Sequence, residues 1–282
     1  MRPFSYLEPE TLDEALALLA EDVEDTHVMA GGTSLVILMK QDLVRPARVI
    51  GLRKLAQLRA IDAQDGLRLG ALATHASLAR SAAVWQYAGA LAATFAAVAT
   101  VRIREQATLG GNLVHADPAQ DPPVTLLALD AVAVAMSTAR ARRIPLEELF
   151  VYIFETSLDH DELLLRVELP PLPAGARATY LKFLPNTVDD YATVSVAAVV
   201  ATGADGTCGH ARIALGGVAP IPLRAREAER WLVGRRLDDA AIKEAAALAA
   251  AATDPLPDLR GSAEYKRAMA AVWTERALRA VA

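Results

Sequence analysis

His27-Val28-Met29-Ala30-Gly31-Gly32-Thr33-Ser34-Leu35 runs from an apolar, strand-like stretch through a glycine pair into Leu35 to Lys40, which suits a helix. The passage predicts strand, loop and helix in that order. A second pair, in Thr108-Leu109-Gly110-Gly111-Asn112, precedes the polar, proline-rich Asp117 to Pro123 and the apolar run Val124 to Leu129, and again reads as a loop before a helix. Paired glycines let backbone amides approach an anion with no β-carbon in the way, and a following helix adds partial positive charge. Thr33, Ser34, Thr108 and Asn112 supply hydroxyl and amide groups beside them. Each pair taken singly also fits an ordinary turn. Neither matches G-x-x-x-x-G-K-[ST] or G-x-G-x-x-G, so the P-loop and the Rossmann fingerprint are excluded. What remains is a phosphate cradle made from two distant loops, which suits a pyrophosphate held between them.

Around these loops, Thr11-Leu12-Asp13-Glu14 has the form of a capping box, and Leu12, Ala15, Leu16 and Leu19 repeat at helical spacing. Val49-Ile50, Leu58 to Ile61 and Leu67 to Leu69 read as short strands, and Thr74 as the cap of a helix entering the alanine-rich stretch. Ser81 to Val101 is uncharged and long enough to span a bilayer, but it is mostly alanine, with Gln86, Gly89, Thr94 and Thr100 inside. A helix buried in a water-soluble protein is the better reading. Ala131 to Met136 and Leu163 to Leu169 suit buried strands. Pro170-Pro171-Leu172-Pro173-Ala174-Gly175 punctuates the chain most strongly and sets a domain boundary, dividing it into 1–174 and 175–282. Beyond it, strands are expected at Ala178 to Phe183, Ser195 to Val200 and Ala211 to Leu215. Helices are expected at Arg224 to Leu232, Asp238 to Ala252 and Ser262 to Ala282, the last with an apolar face of Tyr265, Met269, Val272 and Trp273.

Composition removes several functions. The 282 residues are 53% apolar and 22% charged, with net charge −5, which gives a substantial core and no basic stripe for nucleic acid. One cysteine, Cys208, makes neither an internal disulfide nor a four-thiolate iron–sulfur site, and in its turn-like setting it reads as inert. Met1-Arg2-Pro3-Phe4 leads into no apolar segment, so a cytoplasmic location is expected. The five histidines never pair at ligand spacing. His115 with Asp117, and His160 between Asp159 and Asp161, read as loop residues rather than metal ligands. Arg140-Ala141-Arg142-Arg143 reads as a solvated turn. No G-x-S-x-G elbow is present.

Ala30 to Leu35 with Met39-Lys40, then Thr108 to Leu113 running into Ala116-Asp117-Pro118 and Asp121, resemble the FAD-binding medium subunit of molybdenum hydroxylases. That family includes carbon monoxide dehydrogenase medium chains and the flavin domain of xanthine dehydrogenase. Gly261 to Arg267 through Leu278 is similar to the family's closing helix. The resemblance implies an α+β fold: a vanillyl-alcohol-oxidase (PCMH)-type FAD-binding domain of two subdomains, about 1–55 and 56–174, and a C-terminal α+β domain over the flavin. By the same resemblance, Ala30, Gly31, Gly32, Thr33 and Ser34 with Thr108, Leu109, Gly110, Gly111 and Asn112 hold the FAD diphosphate, and Leu35 also binds the cofactor. Val114 packs on the cofactor and Asp121 accepts a hydrogen bond from it. Lys182, in Lys182-Phe183-Leu184, lies near the flavin's pyrimidine edge, where a cation favours the anionic reduced ring. Tyr191, in Asp189-Asp190-Tyr191, contacts the ring.

The implied role is electron relay: substrate is oxidised at molybdenum in a large molybdopterin-binding subunit, and electrons pass through a small [2Fe–2S] subunit to FAD and on to an external acceptor. A dimer of heterotrimers is the implied assembly. The chain has Tyr152-Ile153 where the family often has Gly-Pro, and Pro122 where it often has a larger residue. It lacks the cysteine-bearing insert of one branch, so it holds no iron–sulfur cluster of its own. A stand-alone flavin oxidase or reductase is the rival, but acid–base residues near the loops are scarce. A scaffold without cofactor sits poorly with two intact glycine pairs.

Overall fold

The computed structural model describes residues 2–21, 23–185 and 190–282, so Asp189 lies outside the described residues. Its first unit is a parallel sheet ordered β1-β3-β2, from β1 (Ser5–Leu7), β2 (Thr26–Met29) and β3 (Arg48–Gly51). Helix α1 (Leu12–Ala20) starts where Thr11 Oγ1 accepts from the Glu14 N–H at 3.2 Å, and Ala15, Leu16 and Leu19 bury one face against Ile50 and Leu52. Between β2 and β3 the chain passes through Gly31-Gly32 and α2 (Leu35–Lys40), the strand–loop–helix order expected.

The second sheet is antiparallel, ordered β4-β5-β10-β6-β7: β4 (Ile61–Asp62), β5 (Leu67–Gly70), β6 (Val132–Met136), β7 (Ala141–Pro145) and β10 (Leu163–Leu169). Leu58 was expected in a strand, yet Ala56–Arg59 is a 3-10 turn, because Leu58 drops into the core of the first unit beside Leu55. Helices α3 (His75–Arg80), α4 (Ala82–Tyr87), α5 (Gly89–Ala96), α6 (Val101–Gln106), α7 (Leu109–His115) and α8 (Asp121–Ala128) connect β5 to β6. The alanine-rich stretch is therefore two short helices rather than one. Ala88 between them is extended, and Ser81 caps the first. No helix among the described residues is long and apolar enough to cross a membrane.

The second glycine pair is not a loop, as its sequence suggested. Thr108 is the N-cap of α7, and Gly110 and Gly111 form its first turn. The arginine cluster is a solvated turn only in part: Arg140 and Arg143 are exposed, Arg140 pairing with Asp159 at 2.7 Å, but Arg142 of β7 donates to the buried Glu162 at 2.7 Å. A four-residue helix α9 (Leu146–Leu149) and a hairpin of β8 (Phe150–Tyr152) and β9 (Glu155–Thr156) lead back to β10.

After the proline segment, β11 (Arg177–Phe183), β12 (Val194–Thr202), β13 (Cys208–Gly216) and β14 (Leu223–Arg224) form an antiparallel sheet. Cys208 thus begins a strand and is buried. Strand side chains alternate between faces. Val194, Val196, Ala198 and Val200 pack with α10 (Arg226–Leu232), α11 (Asp239–Ala251) and α12 (Ala263–Val281), whereas Ala197 and Val199 join the core that holds α8. The sheet is covered on both sides. The buried face of α12 is Lys266, Ala270, Thr274, Ala277, Leu278 and Val281, not the expected Tyr265 and Val272, because small side chains let the helix approach the sheet. The aromatic residues flank it instead: Trp273 stacks on Phe183 with ring centroids 5.3 Å apart.

Candidate functional site

The three units meet around a cleft of about 750 Å³. Ala30, Gly31, Gly32, Thr33, Ser34 and Leu35 line it from the first unit, Thr108, Gly110, Gly111, Asn112 and Val114 from α7 and its cap, Asp121 from α8, Lys182 from β11, and Tyr191 from the segment before β12. Of the residues expected at the site, Leu109 alone is off the wall; its side chain is buried in the second core.

The glycines are dictated by packing. A β-carbon on Gly31 would stand 2.0 Å from the Gln106 carbonyl oxygen, and one on Gly110 would stand 2.7 Å from the Ala71 methyl. Gly32 has φ +72°, the left-handed conformation that side chains resist. The first loop therefore lies flush against the chain leading into α7.

The two loops differ in what they offer an anion. In α7 the Leu109 and Gly110 N–H groups donate to Ala73 and Ala71 carbonyls at 2.9 and 2.7 Å, Gly111 to Thr108 Oγ1 at 3.1 Å, and Asn112 to the Thr108 carbonyl at 2.9 Å. These amides are already spent, so Gly110 and Gly111 provide close approach rather than donors. By contrast, the N–H groups of Gly31, Gly32, Thr33, Ser34 and Leu35 have no partner among the described residues. A run of unpaired donors opening a helix is an anion cradle. Two buried acceptors on the cleft wall, Asn112 Oδ1 and Gln120 Oε1, are also unpartnered. An extended molecule carrying both a diphosphate and hydrogen-bonding groups fits this lining.

At the other end Asp121 opens α8 and is buried. Tyr180 Oη donates to its Oδ1, and Lys182 Nζ donates to its Oδ2 at 2.9 Å and to the Ala97 carbonyl at 3.1 Å. Burial pushes the Asp121 carboxyl above its usual range, against the pull of Lys182 and Tyr180. Lys182 is thus a paired cation. Tyr180 escaped the sequence reading, although its place two residues before Lys182 on one strand puts both on the same face. Tyr191 is half-exposed, with the Arg260 guanidinium 5.5 Å from its ring centre, and Arg260 pairs with Asp190 at 2.7 Å.

His115 and Phe154 also line the cleft, their ring centroids 5.1 Å apart. Among the described residues no three His, Cys, Asp or Glu side chains gather as metal ligands.

Similarity to known proteins runs the length of the chain. Residues 2–172 match the family model described as the FAD binding domain in molybdopterin dehydrogenase, and residues 179–281 match the CO dehydrogenase flavoprotein C-terminal domain. The chain is 36% identical over 281 residues to 6-hydroxypseudooxynicotine dehydrogenase complex subunit alpha of Paenarthrobacter nicotinovorans, covering 99% of this chain and 95% of that one. It is 36% identical over 276 residues to the carbon monoxide dehydrogenase medium chain of Afipia carboxidovorans, covering 98% and 95%. Among solved structures, a chain of the Hydrogenophaga pseudoflava carbon monoxide dehydrogenase lacking the Mo-pyranopterin moiety superposes with a TM-score of 0.95 at 34% identity, covering 100% of this chain and 98% of that one.

Proposed function

The chain belongs to the family of FAD-binding medium subunits of molybdenum hydroxylases, and from that membership we propose that it is the electron-relay component of a molybdopterin-dependent hydroxylase or dehydrogenase. FAD is its cofactor, and it is the flavoprotein part of an oxidoreductase. Bound FAD supplies a carrier able to accept and release electrons one or two at a time.

In this reading the unpaired N–H groups of Gly31 to Leu35 hold the diphosphate, and this carries the assignment of the cradle. Gly31 lets the first loop close on the chain entering α7, Gly110 lets α7 close on Ala71, Leu109 seats α7 in the core, and Thr108 fixes its first turn. Asn112 meets the cofactor with its side-chain amide, and Val114 and Leu35 with apolar surface. Asp121, Lys182 and Tyr191 stand at the ring end, where each Asp121 oxygen keeps a further lone pair for the cofactor.

The division at 174/175 separates the unit that binds the cofactor from the one that covers its ring. With one cysteine, the chain supplies no thiolate set for iron–sulfur clusters. Electrons reach FAD from a small [2Fe–2S] subunit, after substrate oxidation in a large molybdopterin-binding subunit, and leave to an external acceptor. The three chains form a dimer of heterotrimers.

The test is co-expression of the chain with a molybdopterin-type and a two-cluster ferredoxin-type chain from the same genome, followed by purification through a tag on this one. The proposal expects a complex in which substrate bleaches the flavin only when all three chains are present. Flavin reduced by substrate with this chain alone, or no association, contradicts it.

A further inference from the structure

The turn between α5 and α6, residues 97–100, has a construction that diphosphate binding leaves unused. Ala99 has φ +37°, a left-handed conformation costing an L-residue about 1–2 kcal/mol. Two cations hold the turn by its carbonyls. Arg104 Nη1 donates to Val98 and Ala99 carbonyls at 2.6 and 2.5 Å, and Lys182 Nζ to that of Ala97 at 3.1 Å.

A trans peptide places its N–H opposite its C=O. Fixing three successive carbonyls on the cations therefore turns the N–H groups of Val98, Ala99 and Thr100 away from them. None of these three donors has a partner among the described residues. Val98 and Ala99 line the cleft, whereas Arg104 is not on its wall, so the cation stands behind the turn as seen from the cleft. Successive N–H groups in such a turn form a concavity suited to negative charge.

We propose that turn 97–100 is an anion-accepting subsite of the cleft, occupied by the pyrimidine edge of the flavin when reduction leaves it negatively charged, and that Arg104 is its positioning residue. The inference rests on the FAD reading and refines it. Lys182 is neutralised by Asp121, so it acts on the flavin mainly by holding this turn rather than as an isolated charge. Strained backbone kept in place by two cations then has a purpose: the donors of Val98 and Ala99, on the cleft wall, stay aimed at charge that appears only on reduction.

The experiment uses the full chain reconstituted with FAD and compares Kd for oxidised and reduced FAD in wild type and Arg104→Met. Reduced FAD should lose about tenfold more affinity than oxidised FAD, lowering the two-electron midpoint potential by about 30 mV. Arg104→Lys should restore part of the difference. Equal weakening of both forms marks a merely structural arginine and overturns the proposal, as does no change. Should Arg104→Met fail to fold, Ala99→Val and Ala99→Gly decide, since both keep the cations but only glycine tolerates the left-handed φ. The valine variant should reproduce the selective loss and the glycine variant should not; identical behaviour of the two contradicts the subsite. A wild-type chain that takes up no FAD removes the underlying reading instead, a distinguishable result.

Discussion

The Ala30 methyl lies 3.6 Å from the point where Gly111 would carry a β-carbon. A glycine pair in the loop after β2 and another in the first turn of α7 are thereby brought into one wall of the cleft. Their contributions are unequal: the first presents unpaired amides and, at Gly31, allows the close approach to the Gln106 carbonyl, whereas the amides of the second are already hydrogen-bonded.

That approach is testable by adding one methyl. Gly31→Ala forces a β-carbon against the Gln106 carbonyl, and relief of such overpacking costs about 1–3 kcal/mol. FAD affinity should fall roughly tenfold to a hundredfold, measured by flavin fluorescence quenching. Gly209→Ala, whose new methyl would meet only the Ala201 carbonyl at 3.9 Å, should leave affinity unchanged.

The Asp121–Lys182 pair joins α8 to the C-terminal sheet out of contact with bulk water, with side chains 6% and 7% exposed. Lys182→Met leaves a buried carboxylate without its cation, a loss of about 3–5 kcal/mol. The double variant with Asp121→Asn should recover much of it. Burial raises the Asp121 carboxyl above 3.8, so the folded state binds its proton more tightly than the unfolded state does. Its contribution to stability is greatest below the unfolded pKa and declines as pH rises through the folded one. In urea unfolding from pH 4 to 8, the stability of wild type relative to Asp121→Asn should decline as pH rises, and that of Lys182→Met relative to the double variant should decline more steeply.

Much of this was legible in the sequence where local chemistry sets local structure. The strand before Gly31, the helix after Ser34 and the cap at Thr11 follow from period and side-chain type. The second glycine pair misled because glycine usually ends helices; here it opens one, since Thr108 caps it and Ala71 leaves no room for a β-carbon. Only tertiary contacts carry that information. The same holds for Tyr180, whose partner Asp121 lies in another unit, and for α12, where small residues outcompete the aromatic stripe for the sheet.

His75 is fully buried, its ring stacked on Phe95, and neither imidazole nitrogen has a partner. Burial, aided by the charge of Arg104, pushes its pKa down from 6.5 to about 4. The unfolded chain therefore binds the proton first, and stability present above about pH 6.5 is lost as pH falls toward 4. The loss is on the order of 3 kcal/mol. In His75→Phe, chemical denaturation across that range should lack this component; an unchanged pH profile excludes His75 as its source.

Cys208 is buried at the start of β13, and burial pushes its thiol pKa up. The native chain should resist thiol reagents and react only as it opens, so urea should accelerate labelling in step with unfolding. Rapid labelling of the folded protein contradicts this placement.

Amide hydrogen exchange with and without FAD tests the cradle most directly. Protection should appear at Gly31, Gly32, Thr33, Ser34 and Leu35 when FAD binds, while Leu109 and Gly110, already hydrogen-bonded, stay protected in both states. FAD binding that leaves the first loop exchanging freely, or that newly protects Leu109 and Gly110 instead, contradicts the account.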